Sequence, residues 1–247
     1  MARLITLILL LSLGTVKAQI DSSRWSLELF LGGGAQANFS YNHDVNLFQT
    51  SRIGWIGGVG LGYHTRNNWN FYLTANLQEY DVSDAVITSL TDQFSQSDDF
   101  YLIEEPNTAG LYRHYQLMAG AGRTWSINNV ELEPVLSFGI AETDASTAYR
   151  WKTKQMGSNY QRVHEFNFNN QNSSFIGRLR LAARVSVLEE KRAVWQLGVK
   201  TGFSVQQMKL SGNLMERDIL GEESIQILTS EGYVMLFFFG IGGRVRF

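Results

Sequence analysis

Gly232 to Phe247 reads GYVMLFFFGIGGRVRF, a stretch in which every second side chain is apolar over most of its length. The intervening positions change character along the stretch, because glycines and then Arg244 and Arg246 replace apolar residues in the second half. Successive side chains of a β-strand point to opposite faces, so the pattern predicts one long strand with a continuous apolar face. That face consists of Tyr233, Met235, Phe237, Phe239, Ile241, Val245 and Phe247.

Similar alternation recurs in seven earlier stretches. Phe71 and Leu73, for example, alternate with Tyr72 and Thr74. Short polar breaks at 66–68, 127–129 and 189–192 separate pairs of these stretches, as tight hairpin turns do. The predicted strands lie near 24–34, 53–65, 69–80, 113–126, 130–143, 174–188, 193–210 and 232–247.

Longer polar segments lie between the other strand pairs and are predicted to be loops, near 35–52, 81–112, 144–173 and 211–231. Strands joined alternately by short turns and long loops favour an all-β fold, an eight-stranded antiparallel up-and-down transmembrane β-barrel. Its short turns would be periplasmic and its long loops extracellular. A soluble barrel or sandwich, with the apolar faces turned inward, is the alternative.

Aromatic residues cluster at the short-turn ends of the predicted strands, which is typical of the girdle that a transmembrane barrel places at a membrane interface. Trp55, Tyr115, Phe175 and Tyr233 would form the opposite girdle. The short-turn girdle consists of Trp25, Tyr63, Trp69, Trp125, Trp195 and Phe247.

Charged residues occupy the faces opposite the apolar ones, so a barrel would enclose them. A lumen of eight strands is filled by side chains, and charges enclosed there need partners. Strand adjacency pairs Glu28 with Arg244 and Arg246, and it pairs Glu131 and Glu133 with Arg184. We therefore expect a closed, salt-bridged lumen, with inward glycines at 54, 58, 60, 62, 120, 122, 240 and 242 making room. The predicted network contains Glu28, Glu131, Glu133, Arg178, Arg180, Arg184, Lys200, Arg244 and Arg246.

The first residues predict a secretory signal peptide over 1–18, with Arg3 before an apolar run and small or modest residues before a cleavage site at Gln19. The barrel domain would then span 19–247. The chain has no Cys, so disulfides and a lipidated cysteine are excluded. With 21 Lys and Arg against 23 Asp and Glu, the formal net charge is −2, which makes nucleic acid an unsuitable partner.

The overall pattern resembles small bacterial outer-membrane barrels, namely the OmpA transmembrane domain, OmpX and the PorT-like barrels of Bacteroidota. The resemblance rests on pattern across the whole chain after residue 18 and on no sequence motif. It implies integral location in the outer membrane of a Gram-negative bacterium, with membrane lipid and lipopolysaccharide as partners. It also implies a signal in the last strand for the barrel-assembly machinery. That signal would consist of Tyr233, Phe239, Ile241, Val245 and Phe247.

The predicted loops are where catalytic or ligand-binding residues would lie. Neither a lipid A deacylase pattern of the PagL kind nor a palmitoyltransferase site of the PagP kind is indicated, because no His has Ser two residues later and nothing singles out a loop triad. The His residues show no metal-ligand spacing, so we expect no catalytic residue, cofactor or metal. The acidic segment 81–112 and the basic, aromatic segment 144–173 either pack together or hold external ligands, such as Ca²⁺ or a basic partner on the first and lipopolysaccharide on the second. Candidate residues for the second case are Arg150, Trp151, Lys152 and Lys154.

Three functions stay open at this point. The first is a non-enzymatic barrel whose loops act in surface interaction or envelope integrity. The second is an accessory subunit of an outer-membrane secretion or assembly complex, with a protein partner. The third is a lipid A-modifying enzyme.

Overall fold

A computed structural model describes residues 24–43, 54–81, 100–104, 109–190 and 193–247. These residues form antiparallel strands joined by turns. The predicted signal peptide lies outside the described residues. Within the described ranges, no helix is long and apolar enough to cross a membrane.

The described strands are β1 (Trp25–His43), β2 (Gly54–His64), β3 (Trp69–Asp81), β4 (Phe100–Glu104), β5 (Ala109–Arg123), β6 (Trp125–Ile127), β7 (Val130–Gln155), β8 (Gln161–Glu190), β9 (Ala193–Asp218) and β10 (Glu223–Arg246). Eight of them form a closed ring. Around it, β7 pairs with β5, and the order continues through β3, β2, β1, β10, β9 and β8 back to β7. The strand β6 continues β5 beyond Thr124, and β4 is an additional strand on the distal part of β7. The predicted eight-stranded antiparallel barrel is confirmed.

The first and last strands close the ring. They pair from Ser26 opposite Arg246 upward, and the backbone of Trp25 exchanges two hydrogen bonds with Phe247, at 3.1 and 2.9 Å. Gly32 faces Gly240 in this seam. A Cβ atom on Gly240 would lie 2.6 Å from the Cα of Gly32 and 2.7 Å from the Phe30 ring, so the close approach of the two strands requires glycine there.

The short turns occur where the polar breaks predict them. The left-handed backbone of Asn68 and Asn128, with φ of 62° and 54°, is a conformation that Asn tolerates better than most residues. At the third turn, Glu190 pairs with Ala193, and the two residues between them lie outside the described ranges.

The lower part of the ring, next to the short turns, is apolar outside and polar inside. On β10, Phe237, Phe239 and Ile241 are exposed, whereas the intervening Phe238, Gly240 and Arg244 face inward. Exposed Leu, Val, Ile and Phe side chains recur on the outer faces of the other strands. This polarity is that of a barrel in lipid and the reverse of a soluble barrel.

The strands β7 to β10 extend well past this apolar band. Segments 144–173 and 211–231, predicted as loops, instead form most of two continuous hairpins, with turns at 156–160 and 219–222. The alternation of side chains continues there, but its sense is inverted. On β9, Met208, Leu210 and Leu214 are buried inside, while Lys209 and Asn213 lie on the other face. In its upper part, the structure therefore has a largely apolar interior and, on β7 to β9, a polar exterior, as in a water-soluble protein.

Candidate functional site

The lower lumen holds a network of charged side chains, and all nine predicted charged residues face it. Seven of them are buried, and Glu131 and Arg246, near the short-turn end, are partly exposed. The period-two geometry of the strands carries them inward, because each lies in phase with buried residues of its own strand.

Glu28 on β1 is the first centre of this network. Its carboxylate accepts hydrogen bonds from Arg180 Nη1 at 3.1 Å and from Lys200 Nζ at 2.9 Å. Arg184 Nη2 also donates to it. One carboxylate therefore serves three cations on β8 and β9, across the lumen from its own strand.

Glu133 on β7 is the second centre. It accepts hydrogen bonds from Arg184 Nη1 and from the Tyr72 hydroxyl, both at 2.5 Å. Asn70 and Thr124 complete its surroundings through their amide and hydroxyl groups. With these donors around it, the buried carboxylate has its hydrogen-bonding capacity met.

Glu131 is the third centre and lies nearer the short turns. It pairs with Arg244 Nη2 and, at 3.4 Å, with Arg246 Nη2. Arg244 also donates through Nε to Gln196 Oε1 at 2.6 Å.

Strand adjacency was a poor guide to these partners. Glu28 lies opposite Arg244 in the strand register, yet its carboxylate bonds to β8 and β9 instead. Glu131 lies opposite Arg184 but pairs with Arg244 and Arg246. Of the adjacent pairs expected, the structure contains Glu133 with Arg184. Long side chains in a narrow lumen reach the facing wall as easily as the next strand. Neutral polar side chains bond to the remaining donors and acceptors.

Several neutral polar residues belong to the same interior and were not predicted. His64 bonds through Nδ1 to Asn70 Oδ1 and through Nε2 to Ser26 Oγ, each at 2.7 Å. Higher in the lumen, His114 Nδ1 lies 3.0 Å from Thr143 Oγ1 and 3.1 Å from Gln206 Nε2. The sequence indicates these residues only by their position in the alternation, since each lies on the inward face of its strand.

An apolar and aromatic cluster fills the upper lumen. Trp151 stacks on His164, with ring centroids 5.1 Å apart and planes 6° from parallel, and Tyr149 stacks on Phe166. His164 Nε2 lies 2.9 Å from Thr153 Oγ1, and its Nδ1 lies 3.3 Å from Glu216 Oε1. The contact with His164 lowers the pKa of Glu216 below its ordinary value of 4.5. The cluster contains Tyr80, Tyr112, Tyr149, Trp151, Phe166, Met208, Leu210, Leu214, Leu228, Val234 and Leu236.

The structure separates the four residues of the candidate loop ligand site. Trp151 is 1% exposed and points into the upper lumen, so it does not lie with the three cations. Arg150, Lys152 and Lys154 alternate with it and lie on the outer face of β7, where Arg150 Nε is 3.5 Å from Glu165 Oε1. The grouping with Trp151 is corrected because the segment is a strand, in which neighbouring side chains diverge.

The predicted interface aromatics lie at the short-turn end of the barrel. Trp25, Trp69, Trp125 and Trp195 are each between 43 and 48% exposed on the outer surface, and Tyr63 packs edge-on against Trp25 at 5.0 Å. On the last strand, Tyr233, Phe239 and Ile241 are also exposed outward.

In the described ranges, no three His, Cys, Asp or Glu side chains are grouped so that they could hold a metal ion. His64, His114 and His164 are buried within the lumen and bonded to neutral groups or, for His164, beside Glu216.

No family model matches the chain. No curated protein matches it either. Solved structures with a similar fold include Ail, the attachment invasion locus protein of Yersinia pestis, at 12% identity, with 91% of this chain and 99% of that chain covered and a TM-score of 0.37. Neisserial surface protein A matches at 10% identity, with 90% and 97% covered and a TM-score of 0.40. The outer membrane protein OprG from Pseudomonas aeruginosa matches at 8% identity, with 90% and 96% covered and a TM-score of 0.41.

Proposed function

We propose that this chain is a non-enzymatic, integral outer-membrane barrel with a structural lumen, which acts through its long hairpins in surface interaction or envelope integrity. The observation that carries the proposal is the inversion of side-chain polarity along β7 to β9. Below the inversion the outer face suits lipid, and above it the same strands suit water. The hairpins are thus folded platforms that project from the membrane.

The lumen supports a structural rather than a transporting role. Its lower part is crossed by ion pairs among Glu28, Arg184 and Glu133, and its upper part is filled by the apolar cluster. Opening a path would separate buried charges from their partners, which is costly. We expect the purified protein to give no discrete conductance steps in planar bilayers, and stable steps would contradict a closed lumen.

The outward cations of β7 are the best candidates for contact with lipopolysaccharide. Arg150, Lys152 and Lys154 lie on one face and beyond the apolar band. On the described part of β7, Ile140 is the last large apolar side chain exposed in that band. Phosphate groups of the lipopolysaccharide core would contact these three cations above the apolar band, because Lys and Arg bind phosphate through charge-assisted hydrogen bonds.

A pair of charge reversals tests this contact. Lys152→Glu with Lys154→Glu should weaken binding of the refolded barrel to lipopolysaccharide-containing vesicles by about tenfold. Arg66→Glu with Arg123→Glu, at the exposed short-turn end, makes the same change in net charge and should leave binding unchanged. Equal loss of vesicle binding in both variants would mean that net charge alone causes the effect. No loss of binding in either variant would exclude lipopolysaccharide as the hairpin ligand.

An accessory role in an envelope complex is the second candidate, and the tip of the β9–β10 hairpin favours it. Leu220, Ile225 and Ile227 are 77%, 67% and 66% exposed there, beyond the lipid-facing band. In the described part of the chain, pairing of β10 with β1 ends at Ser230, so residues 223–228 have no β1 partner among the described residues. A strand edge beside exposed apolar residues suits strand addition by a protein partner.

Mild-detergent extraction of the tagged protein, native sizing and identification of co-purifying proteins distinguishes the two candidates. A stoichiometric companion that is lost on Ile225→Lys with Ile227→Lys would establish the accessory role. A barrel that migrates alone would favour independent action at the surface. A changed lipid A mass spectrum on deletion would instead indicate the less favoured enzyme.

We also propose that Tyr233, Phe239, Ile241, Val245 and Phe247 are read by the barrel-assembly machinery, and that residues 1–18 are removed as a signal peptide. Support for the first comes from the apolar outer face of β10. Phe247→Ser should lower the amount of folded barrel in cell membranes without preventing refolding in detergent. A defect in both settings would indicate a purely structural role for Phe247.

A further inference from the structure

The lower lumen contains more positive than negative charge. Among the described residues, its carboxylates are those of Glu28, Glu131 and Glu133. Twice as many cations face them, and every ion pair of the network is made by sharing these three acids. Buried charge without compensation is strongly unfavourable, so the excess calls for a further anion. The cations are Arg178, Arg180, Arg184, Lys200, Arg244 and Arg246.

Arg178 is the cation that lacks an acidic partner. It is 5% exposed, and no carboxylate of the described residues lies within ion-pair distance of it. Its guanidinium donates through Nη2 to Gln116 and lies over the Phe238 ring, 5.1 Å from the centroid. These contacts hold the side chain in place but leave its charge unneutralised.

A cavity of about 20 Å³ adjoins Arg178. Arg180, Lys200 and Asn76 also line it, together with Glu28, which already bonds to Arg180 and Lys200. The volume suffices for a single particle of the size of a water molecule or a halide ion. It is too small for phosphate, sulfate or an organic acid.

The polar atoms left without a partner around this cavity are N–H donors. They are Nε of Arg178, Nε and Nη2 of Arg180, and Nδ2 of Asn76. Guanidinium groups have no acceptor atoms, so these groups can be satisfied only by an acceptor placed among them. A monoatomic anion accepts from every side and also neutralises part of the excess positive charge, which a water molecule does not.

We propose that this cavity binds a single halide-class anion, chloride in the natural setting, held by Arg178, Arg180 and Asn76. The ion completes the charge network of the lower lumen and satisfies the unpaired donors at once. It binds the folded barrel alone, because only the closed ring brings β3 and β8 together at this place. The site is thus a structural anion site, separate from any contact made by the hairpins.

Bromide, which scatters anomalously, is the probe for the site. Crystals of the detergent-refolded full chain grown in bromide should show one anomalous peak within hydrogen-bond distance of Arg178 and Arg180. In solution, the unfolding midpoint should be about 5 °C or more higher in chloride or bromide than in gluconate at equal ionic strength and cation, since gluconate is too large to enter. A cavity without an anomalous peak, or equal midpoints in all three salts, would overturn the proposal.

Asn76→Asp supplies a matched test, because it places a fixed carboxylate where the ion would lie. This variant should stay folded, lose the bromide peak and have an unfolding midpoint that is the same in chloride and gluconate. Asn76→Ser removes the amide without adding charge, so its midpoint should still depend on chloride. A bromide peak that persists in Asn76→Asp, or a chloride dependence that disappears equally in both variants, would contradict the assignment.

Discussion

Arg184 donates through Nη1 to Glu133 Oε2 at 2.5 Å, and both side chains are buried in the lower lumen. Nη2 of the same guanidinium donates to Glu28. A single side chain on β8 therefore joins carboxylates on β7 and β1, which lie on different walls of the ring. Arg suits this position because its planar fork presents several donors in fixed directions and remains charged when buried.

Glu133→Gln tests how much this joint stabilises the barrel. The substitution keeps the size of the side chain but removes one of the two carboxylates that the Arg184 guanidinium contacts, and it points amide hydrogens at Asn70 or Tyr72. We expect the free energy of unfolding to fall by about 3–5 kcal/mol, the cost of removing one partner of a buried pair. Urea unfolding of the refolded barrel in lipid vesicles, followed by tryptophan fluorescence, measures it.

The control for this prediction is Glu142→Gln on the same strand. Glu142 lies on the outer face and is only partly buried, so its replacement should change the free energy of unfolding by about 0.5 kcal/mol or less. Equal losses for the two variants would mean that the ion network contributes no special stability.

The seam between β1 and β10 gives a second prediction. Gly240→Val places a side chain against Gly32 and the Phe30 ring, where atoms already lie 2.6 to 2.7 Å from a Cβ position. We expect a loss of about 1–3 kcal/mol from overpacking. Gly243→Val, on the lipid-facing side with its nearest neighbour at 3.8 Å, should be nearly neutral. The folded fraction on unheated gels at rising urea measures both, and similar losses would argue against the tight seam.

The lower barrel was predictable because its apolar outer face and period-two alternation coincide. Trp69, Phe71 and Leu73 alternate with polar residues and are exposed, as the pattern requires. The upper hairpins have the same period but the opposite sense, with Met208 and Leu210 inside. In the sequence, polar residues on the outer face of these strands resemble the polar residues of a loop. Only the packing of four strands around a common interior distinguishes an extended hairpin from a loop.

The charged residues of the lumen were also predictable, but most of their partners were not. Once the strand order is predicted from the sequence, it identifies residues that face each other on adjacent strands, such as Glu28 and Arg244. The bonds that form depend on side chains that cross the lumen, such as Arg180 to Glu28. Their reach depends on the diameter and stagger of the ring, which alternation does not specify.

The upper hairpins should become less stable at acid pH, because the Glu216 carboxylate becomes protonated. Its pKa is below 4.5 because of the neighbouring His164, so the ionised carboxylate stabilises the folded state above the unfolded pKa. This contribution is lost as the pH falls from the ordinary pKa of 4.5 through the lower pKa that Glu216 has in the folded state. NMR titration of the Glu216 carboxyl should show the low value, and His164→Gln should raise it. An unchanged pKa in that variant would assign the shift to another neighbour.

Trp151→Ala should separate packing in the upper lumen from ligand contact at the hairpin surface. Trp151 is buried against His164, so its removal leaves a large cavity and should lower the free energy of unfolding by about 3–5 kcal/mol. Trp125→Ala, which truncates a Trp that is 48% exposed, should cost clearly less. The folded fraction of Trp151→Ala should still bind lipopolysaccharide vesicles as the wild type does, because Lys152 and Lys154 point away from the cavity. Loss of vesicle binding at unchanged stability would place Trp151 in the ligand site and reverse the assignment of the two faces.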